Sequence, residues 1–518
     1  MKILFVYTIG YAQSLSPNGA LIDIRCMPFG ISYISSFLKS HGHDTRLVVM
    51  TKRSNLSSLD QEIKVYSPGL ICFTSVASEF PFVENLGLNV KTRYPDIFLL
   101  IGGVHVSLNG DESILKVFDA LCFGEGEKAT LELAERLQQG LAPEGIANLW
   151  IKRPDGIEKN PVRPFIADID ALPFPDRGLW KGWIEEKKST RTPAILLGRG
   201  CPFECSYCCN HSLKKLARGR YVRFRSPENI LAEIEDVLRH YPLTKDIYFE
   251  VETFGANLKW SLELCTALTK SNAARSAPLS FGVNIRITPN LTLKMDALFR
   301  EMKNSNFRYV NIGLESGSER MRKDILSRNY ANEDIVKAVA LAKKYGFQVY
   351  LYNLIGLPFE TVEDFNQTVA LNRICLPDFY YLSIFFPYPG TRLHTMCREN
   401  GFLPSGFLET DLERVSAGLS FPGFTKNQIQ KAYIWFDYYV YRGHRPMSWL
   451  AEQITAKYAV VYKDYHPFVR FCLMVRDYLS PSQKLGTHYQ EGKMIKYLLL
   501  SGTRATLNRL TDWIGSWK

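Results

Sequence analysis

The first 140 residues alternate between short, strongly apolar runs and longer amphipathic stretches. The runs are KILFVYT, HDTRLVVM, GLICFTS, IFLLIGG and ALCFGEG, and segments such as ISYISSFLKSHG and FVENLGLNVKTRYP separate them. A strand that is apolar on both faces must be covered on both, and a helix-length connection lets consecutive strands pair in parallel. The pattern predicts an α/β, doubly wound domain over residues 1–145. In such a sheet the ligand lies at the carboxyl ends of the strands. Those ends carry Thr8, then Thr74 and Ser75, then Gly102 and Gly103, then the GEGE run that begins with Gly124 and Glu125. Glycines there let a bulky ligand approach the main chain. A flavin, a nucleotide or cobalamin would suit the layout.

Residues 198–211 read GRGCPFECSYCCNH. Cys201, Cys205 and Cys208 stand in C-x3-C-x2-C spacing directly after the strand-like PAILLG, so three thiolates can converge on one centre. Structural zinc prefers four closed ligands, and no second C-x2-C pair follows. Three thiolates on a four-iron four-sulfur cluster leave one iron open for a substrate-like molecule. Cys209, adjacent to Cys208, reads as a packed or supporting thiol that points away from the cluster. Neither spacing nor chemistry requires His211.

The stretch MPFGISYISSFLKSHGHD, followed by YSPGLICFTS, YPDIFLLIGGVHVS and DALCFGEGEKATLELAERL, resembles the cobalamin-binding domain found ahead of radical S-adenosylmethionine (SAM) domains. The cysteine triad beside Tyr207 resembles the radical SAM signature. DIYFEVETFGAN, LSFGVNIRI, RYVNIGLESGSERMRKDI, FQVYLYNLIGLPFETVEDF and DFYYLSIFFPYPGTRLH continue the likeness to about residue 400. With PAILLG they make six strands, each followed by helix-like sequence, so the resemblance implies a (β/α)6 partial TIM barrel whose site lies at the strand C-termini.

The resemblance implies residue roles as well. Cys201, Cys205 and Cys208 would ligate the cluster, and the backbone at Tyr207 would face the adenine of SAM. Glu252 would receive the methionine amino group, Arg286 its carboxylate through a planar fork, and Glu315 would bond the ribose or methionine. Gly356 would let the adenine approach. For cobalamin, Ser75 would lie beside the nucleotide tail and Gly102 and Gly103 where that tail enters, with Thr8, His105, Gly124 and Glu125 around it. Two departures stand out. No histidine follows the first strand, where many cobalamin proteins carry a lower axial ligand, so cobalt is expected without one, and His105 reads as a surface or tail-contacting histidine, with replacement of that ligand as the lesser alternative. Val251 occupies a position where the family has a second acid.

At 518 residues the chain has room for about three domains. The proline-rich KRPDGIEKNPVRPFIADIDALPFPDR marks a connector over 146–188, ahead of a barrel over 189–405. Residues 406–518 read as a mainly helical region whose apolar stripes pack on the barrel, with a lid over an apolar substrate as the sharper alternative. From residue 421 onward there are fourteen Lys and Arg against six Asp and Glu, which suits solubility, an anionic group on a substrate, or peripheral contact with an acidic membrane surface. Eleven cysteines, an odd number, fit a reducing compartment better than a disulfide framework. With no apolar run long enough to span a bilayer, a cytoplasmic enzyme is expected.

The leading reading is a cobalamin-dependent radical SAM methyltransferase acting on an unactivated carbon of a small molecule, fed by a flavodoxin- or ferredoxin-type electron donor. Ring rearrangement, contraction or cyclisation without methyl transfer is the enzyme alternative. A non-catalytic cobalamin sensor is the alternative from another class. Nucleic acid ranks low as a substrate, because no basic stripe interleaved with aromatics marks an RNA-binding module.

Overall fold

The computed structural model describes residues 1–9, 27–52, 54, 56–183, 192–404, 406–407 and 413–479. Two largely parallel sheets organise it. The first contains β1 (Lys2–Ile9), β2 (Asp44–Thr51), β3 (Leu70–Thr74), β4 (Phe98–Gly102), β5 (Ala120–Cys122), β6 (Leu149–Arg153) and β7 (Gly156–Lys159). Its order is β2-β1-β3-β4-β5-β6-β7, the first five strands parallel and the last two antiparallel. The strand order reverses between β1 and β3, which makes the switch point where such sheets bind ligands.

Alternation along β1 shows why both faces need cover. Ile3, Phe5 and Ile9 join one buried cluster with the helices Phe29–Ser40 and Glu127–Gln138, while Leu4 and Val6 join another with Leu56–Tyr66 and Phe80–Arg93.

The connector departs from expectation. LWIKR and GIEK flank a Pro154-Asp155 turn and pair antiparallel at the sheet edge as β6 and β7. Turn-forming residues dominate the local composition and hide two strands of only four or five residues. Further along, Trp180 is fully buried against Tyr7, and its indole N–H donates to Ser32 Oγ at 2.8 Å. Arg177 reaches the second sheet, donating to Glu233 at 2.6 Å and to the Ala194 carbonyl at 2.7 Å.

The second sheet has the order β8-β11-β12-β13-β14-β15, all parallel: β8 (Ala194–Leu196), β11 (Asp246–Phe254), β12 (Ser280–Ile285), β13 (Phe307–Glu315), β14 (Gln348–Ile355) and β15 (Phe379–Ile384). A short ribbon of β9 (Gly198–Arg199) and β10 (Arg223–Phe224) brackets the cysteine loop. β8 and β15 are not paired with each other, so the six-stranded barrel is open. Ile247, Phe249 and Val251, and likewise Phe281, Val283 and Ile285, pack outward under the helices. The two-residue period of a strand leaves their neighbours for the inner face.

The described C-terminal helices, Lys426–Tyr441, Met447–Val461 and Pro467–Leu479, share one buried cluster with Ile355, Phe365, Tyr380 and Ile384 of the barrel. Lys457 pairs with Asp437 at 2.7 Å and donates to Tyr380 Oη at 2.9 Å, tying the helices to β15. These helices are therefore part of the core. Of the region 406–518, the segment MIKYLLLSGTRATLNRLTDWIGSW, one of those expected to carry an apolar helical stripe, lies outside the described residues. Among the described residues no helix is long and apolar enough to cross a membrane.

Candidate active site

The cysteine loop leaves β9 through Gly200, whose φ of +82° a side chain would strain. The Cys208 N–H closes a turn on the Cys205 carbonyl at 3.2 Å, and the Ser206 N–H is anchored on the Leu326 carbonyl at 3.2 Å. Among the described residues no three His, Cys, Asp or Glu side chains form a preformed metal cage. The three thiols are instead brought together by one short loop, each in a distinct environment. Burial pushes the Cys201 thiol up to about 12. Cys208 is lowered to about 6, chiefly by the Cys209 thiol and also by Asn210, whose amide lies 3.4 Å from its sulfur. Cys209 thus turns toward Cys208 and supports its thiolate, where sequence reasoning had it pointing away. Arg286 donates to Cys205 Sγ and stacks 4.0 Å from the Phe203 ring, and its buried Nε has no partner. His211 is buried with its Nδ1 unpartnered.

Two acids stand at the ends of barrel strands. Glu315 takes a left-handed φ of +61° at the end of β13 and pairs with buried Arg328 at 2.8 Å, which also donates to Tyr207 Oη at 2.8 Å. Gly313 makes the pair possible, because a Cβ there would lie 2.7 Å from Glu315 Oε1 and 3.0 Å from Arg328 Nη2. Glu252 on β11 lines the same cavity, and no ion pair to it is made among the described residues. The nearest acid to Glu252 on this strand is Glu250 rather than residue 251. Val251 faces the outer core, and Glu250 shares the inner-face register of Glu252. Burial, with Glu252 adding to it, pushes the Glu250 carboxyl up to about 7. Gly356 has φ +71°, and its missing Cβ would meet Ile429 of the C-terminal helices at 3.0 Å. Packing against Ile429 alone therefore disfavours a side chain at this position.

On the first sheet, Gly102, Gly103, Gly124 and Glu125 line a cavity of about 290 Å³ together with Thr74 and an apolar wall that includes Phe5, Ile31 and Leu100. Gly103 is the strict glycine: at φ +97°, a Cβ would meet the Ser75 carbonyl and Thr74 Oγ1 at 2.7 Å. Ser75 is buried between the sites, its hydroxyl turned to the Val76 carbonyl at 2.8 Å. Thr8 is buried at the end of β1 and is not part of either cavity wall. His105 stacks on Phe80 at 4.2 Å, burial lowers it to about 4, and its Nδ1 has no partner. It lines the larger cavity beside the cysteine loop and not the smaller one edged by Gly102 and Gly103.

That larger cavity, about 550 Å³, lies between the two sheets. Val76, Val104, His105 and Leu108 form one wall, Tyr207, Cys208, Glu252 and Glu315 another, and Leu354, Ile384, Phe385 and Phe386 a third. The domains are tied together beside the smaller cavity by ion pairs absent from the sequence reading: Arg199 to Glu125 at 2.9 Å and to Glu127 at 2.6 Å, and Arg223 to Glu125 at 2.9 Å. Burial raises the Glu125 carboxyl, and Arg223 and Arg199 reverse that to a net lowering. No motif announces such partners, which lie 74 and 98 residues apart.

The B12 binding domain profile matches residues 18–134, and the radical SAM superfamily profile matches residues 195–371. The chain belongs to the cobalamin-binding radical SAM enzymes. It is similar to the uncharacterized methyltransferase PH0819 of Pyrococcus horikoshii, 26% identical over 73% of this chain and 79% of the relative. The anaerobic magnesium-protoporphyrin IX monomethyl ester cyclase of Rubrivivax gelatinosus is 25% identical over 75% and 68%. The cobalamin-dependent radical enzyme OxsB, solved with aqua-cobalamin and SAM bound, shares the fold at a TM-score of 0.65, covering 99% of this chain and 81% of that one at 13% identity. Cobalamin-binding radical SAM enzymes carry a four-iron four-sulfur cluster, SAM and cobalamin. The residues fit these groups: Arg286 Nε is orphaned beside Cys205, Glu252 lines the adjoining cavity, and a glycine-edged cavity opens at the switch point.

Proposed function

We propose that this enzyme takes a hydrogen atom from an unactivated carbon of a small molecule and puts a methyl group in its place. One observation carries the reading: a single cavity has Cys208, Glu252 and Glu315 on one wall and the His105 helix of the B12 binding domain on another. Cys201, Cys205 and Cys208 would hold the cluster. Glu252 would take the methionine ammonium, Arg286 the carboxylate through its fork, and Glu315, fixed by Arg328, the ribose. The cavity edged by Gly102, Gly103 and Gly124 would take the nucleotide tail of cobalamin. Bound there, the cofactors supply hydrogen-atom abstraction and a transferable methyl group. The protein's part is to hold the substrate carbon between them and to exclude water with the apolar wall of Leu354, Ile384, Phe385 and Phe386.

The test uses anaerobically reconstituted enzyme, a flavodoxin-type electron donor, trideuteromethyl SAM and fractionated extract of a strain lacking the protein. The expected result is a product carrying the trideuteromethyl group, with S-adenosylhomocysteine and 5′-deoxyadenosine formed alongside it. The cyclase relative makes the contrary outcome specific. A product with altered hydrogen or oxygen content and no label would replace methyl transfer by cyclisation or rearrangement.

A further inference from the structure

Arg414 carries a fixed positive charge in the wall of the large cavity, and among the described residues it alone does so there. Its backbone sits in the left-handed region at φ +66°, a conformation a side-chain-bearing residue keeps only where its surroundings impose it. The Arg414 carbonyl accepts the Ile384 N–H at 2.7 Å, so this segment lies along β15, the edge strand of the barrel. Its Nε is engaged by Tyr388 Oη at 2.8 Å and by Glu413 at 3.2 Å, with the Tyr388 ring 5.4 Å from the guanidinium. These contacts orient the side chain by one nitrogen. Among the described residues the two terminal nitrogens make no hydrogen bond or ion pair, which leaves the fork for a bidentate partner.

The cavity is therefore polarised. Glu252 and Glu315 stand at the ends of β11 and β13, and Arg414 lies beyond β15, with Leu354, Ile384, Phe385 and Phe386 between. At about 4.8 Å per strand, the cation lies on the order of 10–15 Å from Glu315. We infer that Arg414 selects the substrate: a molecule with an apolar body, seated on the phenylalanines, and a carboxylate or phosphate at the end remote from the reacting carbon, held by the Arg414 fork. This rests on the reading of the cavity as the substrate site, and it names the substrate class.

Binding can be tested without turnover by equilibrium dialysis of the cofactor-loaded enzyme against 1-pyrenebutyrate and 1-pyrenebutanol, which share an apolar body and differ in the anion. Wild type is expected to hold the carboxylate about tenfold more tightly than the alcohol, in keeping with a charge-assisted hydrogen bond. Arg414→Gln should hold both equally, and Arg414→Lys should restore part of the preference. No preference in wild type, a preference that persists in Arg414→Gln, or no binding of either probe would each overturn the assignment. Cobalt and iron content, measured for each protein, separates misfolding from loss of recognition. Failure of the methylation reading shows independently, as wild-type enzyme that cleaves SAM without placing the label on any product.

Discussion

The two sheets offer ligands different things. The first is buried on both faces, so successive residues of β1 such as Leu4 and Phe5 are equally apolar, and only the carboxyl edge is left for chemistry. That edge is built from main chain and glycine. The barrel sheet is covered on one face only, and every second residue of its strands is released for the interior, where Glu250, Glu252, Asn284, Arg286, Asn311 and Glu315 collect. One sheet binds by shape and backbone, the other by side-chain charge. Substitution should therefore injure the first sterically and the second electrostatically.

The largest effect is expected at the cysteine loop. Cys205→Ala should abolish both bound iron and 5′-deoxyadenosine formation, while Cys209→Ala should retain the iron, because Cys209 supports Cys208 rather than replacing it. Iron that survives in the first variant and is lost in the second would reverse the ligand assignment.

Next is the buried pair behind Glu315. Arg328→Met leaves the Glu315 carboxylate without its partner, which costs about 3–5 kcal/mol when a buried pair is broken. A lowered urea midpoint together with a raised KM for SAM is expected, and Arg328→Lys should recover part of both. An unchanged KM would reduce Arg328 to a structural role.

On the first sheet the contrast is between neighbouring glycines. Gly103→Ala forces a Cβ against the Ser75 carbonyl at a positive φ, a strain of about 1–3 kcal/mol. Cobalamin affinity should fall roughly tenfold to a hundredfold. Gly102→Ala, whose Cβ would meet Cys122 at an ordinary 3.4 Å, should change it little. Equal losses at both positions would break the steric account.

The smallest effect concerns pH. Burial holds the Glu250 carboxyl near 7 in the folded chain, above its unfolded value. Its contribution to stability is full below the unfolded value of about 4.3 and is lost as pH rises through 7. Glu250→Gln should therefore gain about 1 kcal/mol on wild type at pH 8, allowing for partial solvent screening, and this gain should be absent at pH 4. Urea midpoints at the two pH values decide it, and a variant less stable at pH 8 would contradict the sign.

The sequence disclosed what is periodic or tightly spaced. Both sheets were legible from apolar strands set between helical stretches, and the triad from spacing on one loop. Properties that depend on where strands meet were hidden. Glu250 could not be recognised as the inner-face neighbour of Glu252 until β11 showed which face Val251 takes. Arg328 gave no sign of serving Glu315, since the strain at Glu315 and the gap at Gly313 arise only in the folded turn. The β6–β7 hairpin was lost in its own turn residues. Nor could the sequence show that His105, in the helix that starts at Val104, faces the cavity beside the cysteine loop.

The pairing of Arg199 with Glu125 and Glu127 has a consequence for how the enzyme is filled. Arg199 stands two residues before Cys201, and Glu125 belongs to the loop that lines the smaller cavity. Filling either site therefore meets the same ion-pair cluster, and whatever one occupant does to the affinity of the other is returned in equal measure.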